Sequence, residues 1–151
     1  MSVRKTAFLS YNMTTADAGS PDGVVPFGRQ FDFIGDVETE LMILNDGDES
    51  LCLGYSDVDL YEDVYVGDMM DFTAEMVKVG NTSRTCHIAC YKVATPASRM
   101  GVADAAPGQM HWFEEPRLVS EGTVVLVVKK ELQRGNQPDG AVKDPWREIQ
   151  Y

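Results

Sequence analysis

At 151 residues the chain is most simply one domain, large enough to bury a core of its own. A hydrophobic content of 44% and a charged content of 25% are ordinary for a soluble globular protein, and a formal charge of −11 leaves no basic face for a nucleic acid. No apolar run approaches the ~20 residues of a membrane helix, the N-terminus lacks a signal-peptide pattern, and three cysteines without a pairing framework fit a reducing cytoplasm.

Lys5 to Met13 reads as a first strand, and Thr14 to Gly23 as a polar loop rich in Thr, Asp, Ser, Pro and Gly. That loop runs into a helix start, where free backbone N–H groups can meet a carbonyl oxygen or an anion. The helix itself, Pro26 to Leu44, is the strongest pattern in the chain. At about 100° per residue, Phe27, Phe31, Ile34, Val37, Leu41 and Leu44 share one apolar arc, and Asp32, Asp36 and Glu40 lie opposite. Pro26 stands where proline is tolerated, and Asn45 to Asp48 closes the helix with turn chemistry.

Two helix residues fit poorly with packing alone. Gly35 costs about 1 kcal/mol against alanine in mid-helix and signals close approach of a backbone or a ligand. Glu38 projects into the apolar arc, where an unpaired carboxylate is expensive; the plain reading has it at the arc's edge, reaching water or an arginine. Asp36 and Glu40, one turn apart, read as a solvated face. Burial by a second subunit would make that face a dimer cleft in which a carboxylate can serve as a base.

Downstream, everything reads as strand. Leu51 to Tyr55 is a short strand that Val58 to Tyr61 continues or follows, and Asp63 to Asp68 is a turn. Met70, Phe72, Ala74 and Met76 share one face of a long strand, and Cys86, Ile88 and Cys90 one face of its partner. Their apolar sides match when Met76 faces Cys86 and Phe72 faces Cys90, which asks for a three-residue loop, Gly80 to Thr82, with a bulge. Pro96 to Pro116 lacks periodicity and reads as an irregular lid or binding loop. Val124 to Val128 is apolar on both faces, so one side needs the helix and the other a second subunit. Residues 1–132 form the domain and 133–151 a polar tail that Trp146 anchors.

Cys86 and Cys90 with His87 between them suggest a metal site only superficially, because His87 points to the other face; core packing of the thiols is expected, with no metal. His111 in the long segment is a weak site candidate. No phosphate-binding Gly-rich loop and no Ser or Cys nucleophile arrangement is present.

Several motifs together resemble a known family. Gly35-Asp36-Val37-Glu38-Thr39-Glu40-Leu41-Met42, Asp46-Gly47-Asp48, Leu51-Cys52-Leu53-Gly54-Tyr55, Val64-Tyr65-Val66-Gly67-Asp68, Val77 to Arg84 and Tyr91 to Thr95 are similar to the β-alanyl-CoA:ammonia lyases and 3-aminobutyryl-CoA ammonia lyases. The resemblance implies an α+β hotdog fold, a long central helix wrapped by a curved antiparallel sheet. It also implies a homodimer that assembles into a tetramer or hexamer, with acyl-CoA in the cleft between subunits. The implied activity is reversible elimination of ammonia, or addition of an amine, at the β-carbon of an acyl-CoA, with no cofactor beyond the coenzyme A of the substrate.

In that family frame Asp36 corresponds to the catalytic aspartate of related thioesterases and Glu40 is shared with the lyases. Asp36 would remove the α-proton and Glu40 would orient the leaving ammonium. Amides near Gly28 and Arg29 would hold the thioester oxygen at the positive end of the helix dipole. Asn81, Ser83 and Arg84 would either hold a CoA phosphate at the hairpin tip or form an ordinary exposed turn. The chain departs from the pattern at Asp17-Ala18-Gly19-Ser20, where a His-Tyr pair is missing, at Pro26-Phe27-Gly28-Arg29, which keeps only the arginine, and at Glu38, which replaces a small residue and is a candidate relocated acid–base group. Thioester hydrolysis with Asp36 activating water, and a silent acyl-CoA-binding module, are the alternatives on the same fold.

Overall fold

The computed structural model describes residues 5–134. Strands β1 (Thr6–Asn12), β3 (Leu51–Leu60), β5 (Met69–Val79), β6 (Ser83–Pro96) and β7 (Met110–Val127) form one antiparallel sheet in the order β1-β5-β6-β7-β3. A separate two-residue ribbon joins β2 (Val24–Val25) to β4 (Val64–Tyr65). The helix α1 (Phe27–Asp46) packs along one face of this sheet and is the single α-helix among the described residues. No helix there is long and apolar enough to cross a membrane.

α1 packs Phe33, Ile34, Val37, Leu41 and Met42 against Met70, Phe72 and Met76 of β5, Cys86, Ile88 and Cys90 of β6, and Val119, Val124 and Leu126 of β7. The core-facing stripe is rotated from the expected arc. Phe27, Phe31 and Leu44 are only half-buried, while Phe33, Met42 and the polar Gln30 are inside. Phe33 is drawn in by aromatic neighbours on β1 and β5, with ring centroids 4.2 Å from Tyr11 and 5.0 Å from Phe72. The helix ends where Gly47 adopts φ 69°, its amide bonding the Ile43 carbonyl at 3.0 Å.

Met76 opposes Cys86 and Phe72 opposes Cys90 as expected, and the loop is Gly80 to Thr82. The bulge falls at Val77, past which the register slips by one residue to pair Val79 with Arg84. Val124, Leu126 and Val128 are buried; Val125 and Val127 are half-buried on the other face. The segment 96–116 differs from expectation. Its first part holds a 3-10 turn, Ala97–Met100, but from Met110 it is strand: Met110, His111 and Trp112 pair with Pro96, Thr95 and Ala94 of β6. Pro116 is tolerated in this strand because it falls in the register jump between Arg117 and Trp112, where no ladder bond is asked of it.

Two buried clusters close the two ends of the sheet, one of them onto the helix. Asp46 and Arg84, both fully buried, pair through Nε–Oδ2 and Nη2–Oδ1 contacts of 3.0 Å each. Gln133 Nε2 donates to the carbonyls of Asn81 and Val128, and the Arg134 amide to that of Asp46, so the first residues of the expected tail are bonded to the domain. The rest of that tail, with Trp146, lies outside the described residues. At the other end Asp68 accepts from the Tyr65 amide, the Thr95 hydroxyl and Lys92 Nζ. Gly67 has φ 88°, and a Cβ there would meet Pro96 Cγ at 2.6 Å, so only glycine fits the turn.

Candidate active site on the central helix

The helix start is open. Pro26 supplies no side-chain cap and the first turn holds no acidic residue, so the positive end of the peptide dipoles is uncompensated there. Arg29 uses both its amide and its charge locally. Its N–H donates to the Pro26 carbonyl at 2.9 Å, and its guanidinium contacts Asp32 and Asp17 at 2.8 Å each. These two carboxylates raise its pKa further, Asp32 being the larger influence. Arg29 is therefore a clamp between loop and helix, and of the two expected oxyanion donors only the Gly28 amide is uncommitted to a helical partner.

Asp17 is the other half of that clamp. Its carboxylate also accepts from the Thr14 amide (2.7 Å) and the hydroxyls of Tyr11 and Thr14 (3.0 Å each). Burial works to raise its pKa, but the Thr14 amide, Arg29 and the hydroxyls outweigh burial and hold it below the ordinary range.

Asp36 and Glu40 share the outer flank of α1 and are exposed in the single chain. Glu38 points the other way. It is 4% exposed, and it reaches neither water nor an arginine, which overturns the plain reading. Its Oε2 accepts the Tyr55 hydroxyl of β3 at 3.1 Å, and its Oε1 is buried without a partner. Burial pushes its pKa from 4.5 up to about 7, with the Tyr55 hydrogen bond pulling the other way. The helix carboxylates thus form two groups on different sides, and one protomer does not bring Glu38 together with Asp36 and Glu40. Tyr55, which the sequence reading missed, also packs edge-on against Phe31 at 4.9 Å. A buried glutamate in need of a donor was the signal that could have found it.

Gly28 and Gly35 lie seven positions apart on one flank of α1, and a Cβ at either would meet nothing within 4 Å. The close approach expected at Gly35 is not made by the described residues. Arg84 at the hairpin is 0% exposed, with Nε and Nη2 on Asp46 and Nη1 on the carbonyls of Gly80 and Ser83. The expectation that it holds a CoA phosphate beside Asn81 and Ser83 is corrected: its donors close the sheet onto the helix terminus. Cys86 and Cys90 are buried thiols, pushed up to about 12 and about 11 by burial. No three metal-ligating side chains converge among the described residues.

No protein-family model matches the chain. It is 35% identical over 126 residues to the 3-aminobutyryl-CoA ammonia lyase of Acetoanaerobium sticklandii, covering 83% of this chain and 96% of that relative. The chain belongs to the acyl-CoA ammonia lyase family. The structure of β-alanyl-CoA:ammonia lyase from Clostridium propionicum superposes with a TM-score of 0.80 at 36% identity, over 95% of this chain and 98% of that one. A hexameric hotdog fold thioesterase of Campylobacter jejuni follows at TM-score 0.65 and 16% identity, over 92% of each chain. An acyl-CoA hydrolase from Staphylococcus aureus, solved with butyryl coenzyme A, gives 0.63 at 10% identity over 90% of this chain and 70% of that one. The thioesterase likenesses establish the hotdog fold, and the lyase likeness the family.

Proposed function

We propose that the protein catalyses reversible elimination of ammonia, or a small amine, from the β-carbon of a β-aminoacyl-CoA. The match to an acyl-CoA ammonia lyase along most of both chains carries this reading. The thioester oxygen is held by the Gly28 amide at the positive end of α1, where an enolate's charge is stabilised as it develops. A helix carboxylate takes the α-proton, the C–H electron pair becomes the Cα–Cβ double bond, and the Cβ–N bond breaks with its electrons leaving on the amine. The protonated carboxylate then returns its proton to the amine.

Glu38 suits that proton transfer best toward a thioester held at the Gly28 amide of a second subunit, because its own Gly28 lies about 15 Å away along α1. A base poised near neutrality is the most effective at neutral pH, and burial with one unpartnered oxygen supports a group held ready for a ligand. Asp36 and Glu40, which the family resemblance favours, serve as the base only where a second subunit covers them; otherwise they draw the cationic amine to the cleft. Assaying amine release from a β-aminoacyl-CoA by Glu38→Gln and Asp36→Asn separates the two assignments. Release of free thiol without amine would instead favour the thioesterase reading.

The second subunit is expected at β3. This edge strand is exposed along its whole length and carries Leu51 (67% exposed), Leu53 (73%), Val58 and Leu60. An unpaired apolar edge is a template for another strand, and a second copy joining there would bring its own elements beside the Gly28 and Gly35 flank. Assembly into larger oligomers and a cytoplasmic location belong to the same proposal.

A further inference from the structure

The chain carries 13 Lys and Arg against 24 Asp and Glu, yet three of its cations line one cavity of about 370 Å³. They are Lys92, Arg99 and Arg117; Tyr65 and Phe113 share the wall, and so do the carboxylates Glu62 and Asp63. We propose that this cavity, outside the helix carboxylates and away from the hairpin tip, receives the phosphates at the nucleotide end of coenzyme A. The proposal rests on the acyl-CoA reading above.

The three cations are not equivalent. Lys92 Nζ donates to the Asp63 carbonyl (2.8 Å) and sits in ion-pair range of Asp68 (3.1 Å) and Glu62 (3.3 Å), so its charge is balanced by two carboxylates and it braces the floor. Arg117 pairs with Glu62 through one terminal nitrogen, and its guanidinium carbon is 5.2 Å from the Phe113 ring centre. Arg99 makes no ion pair among the described residues. Its guanidinium lies over the Tyr65 ring at 3.7 Å, exposed and oriented by stacking rather than neutralised. Asp22 feels the Arg99 charge, but its carboxylate is occupied by the Ser20 hydroxyl and the Val24 amide. A planar guanidinium fixed on an aromatic face keeps its fork of donors for a phosphate, and Arg117 adds a second from across the cavity.

The cavity is also connected to the proposed thioester site. Tyr65 pairs with Val24 in the β2–β4 ribbon, and β2 leads through Pro26 directly into α1. Val24 and Gly28 are four residues apart, at most about 14 Å along the chain. The ribbon thus carries the Tyr65 wall of the cavity and the start of α1 on one short stretch of chain, and the proposal places the phosphates at Arg99 and the thioester at Gly28 of one extended molecule.

Calorimetric titration with coenzyme A, pantetheine and inorganic pyrophosphate tests this, comparing wild type with Arg99→Gln and with the double variant that adds Arg117→Gln. Melting curves check that both variants fold, and the exposed Arg99 leaves no carboxylate orphaned. Wild type should bind coenzyme A at least tenfold more tightly than pantetheine. Arg99→Gln should lose most of that margin, the double variant all of it, and pyrophosphate should compete with coenzyme A in wild type only. An unchanged coenzyme A affinity in the double variant would overturn the proposal, as would wild type binding coenzyme A no more tightly than pantetheine. Binding lost in the variants, with no amine release by wild type, would support the site while removing the lyase reading.

Discussion

The Tyr55 hydroxyl donates to Glu38 Oε2 across 3.1 Å, tying the exposed edge strand β3 to the inner face of α1. One carboxylate oxygen is held and the other is unpartnered, in surroundings dry enough to raise the acid to about 7. A group in this state is costly for folding and useful for proton transfer.

That cost has a pH signature. The folded-state value lies above the ordinary 4.5, so folding takes up a proton between about 4.5 and about 7. The stability contributed by protonated Glu38 is complete below pH 4.5 and is lost as the pH rises through 7, by about 3 kcal/mol. Glu38→Gln, a neutral mimic of the protonated acid, should show less decline. Urea unfolding at pH 5.5 and pH 8 measures this, and the variant should be the more stable protein at pH 8.

Tyr55→Phe removes the hydrogen bond that favours ionised Glu38 while keeping the ring against Phe31. The loss of about 0.5–1.5 kcal/mol moves the Glu38 titration up by roughly half to one unit. In a pH profile of kcat/KM the limb near 7 should shift alkaline by that amount, with the plateau rate less affected. A limb that stays in place would separate Glu38 from the rate.

Arg84→Met leaves Asp46 buried beside fewer donors and should destabilise the fold by about 3–5 kcal/mol in denaturant unfolding. Its coenzyme A affinity, measured on the folded fraction, should match wild type, because Arg84 is fully buried and its donors face Asp46 and the hairpin carbonyls.

Leu53→Lys places a charge on the exposed edge of β3 without disturbing the core of one protomer. Sedimentation should report a shift toward monomer with the protomer still folded, and amine release should fall with it.

The parts of the fold written in local pattern were legible. The period of α1 and the alternation of β5 and β6 fixed the helix and the Phe72–Cys90 register. What escaped depended on long-range partners. Phe33 is core because Tyr11 and Phe72 flank it, and Trp112 is strand because Ala94 pairs with it. Arg84 looked like a surface phosphate ligand because its partner Asp46 is 38 residues away. Glu38 was singled out by its place in an apolar arc, but Tyr55, its donor, belongs to a strand whose pairing no short window reveals. Asp36 and Glu40 stand where the helical period put them, exposed in the single chain.

The most direct test is the rate of amine release from a β-aminoacyl-CoA as a function of pH for wild type, Glu38→Gln and Asp36→Asn. Wild-type kcat/KM should rise with pH through about 7, Glu38→Gln should lose about 10²-fold or more, and Asp36→Asn should keep most of its rate. Wild-type turnover by Glu38→Gln would contradict the account.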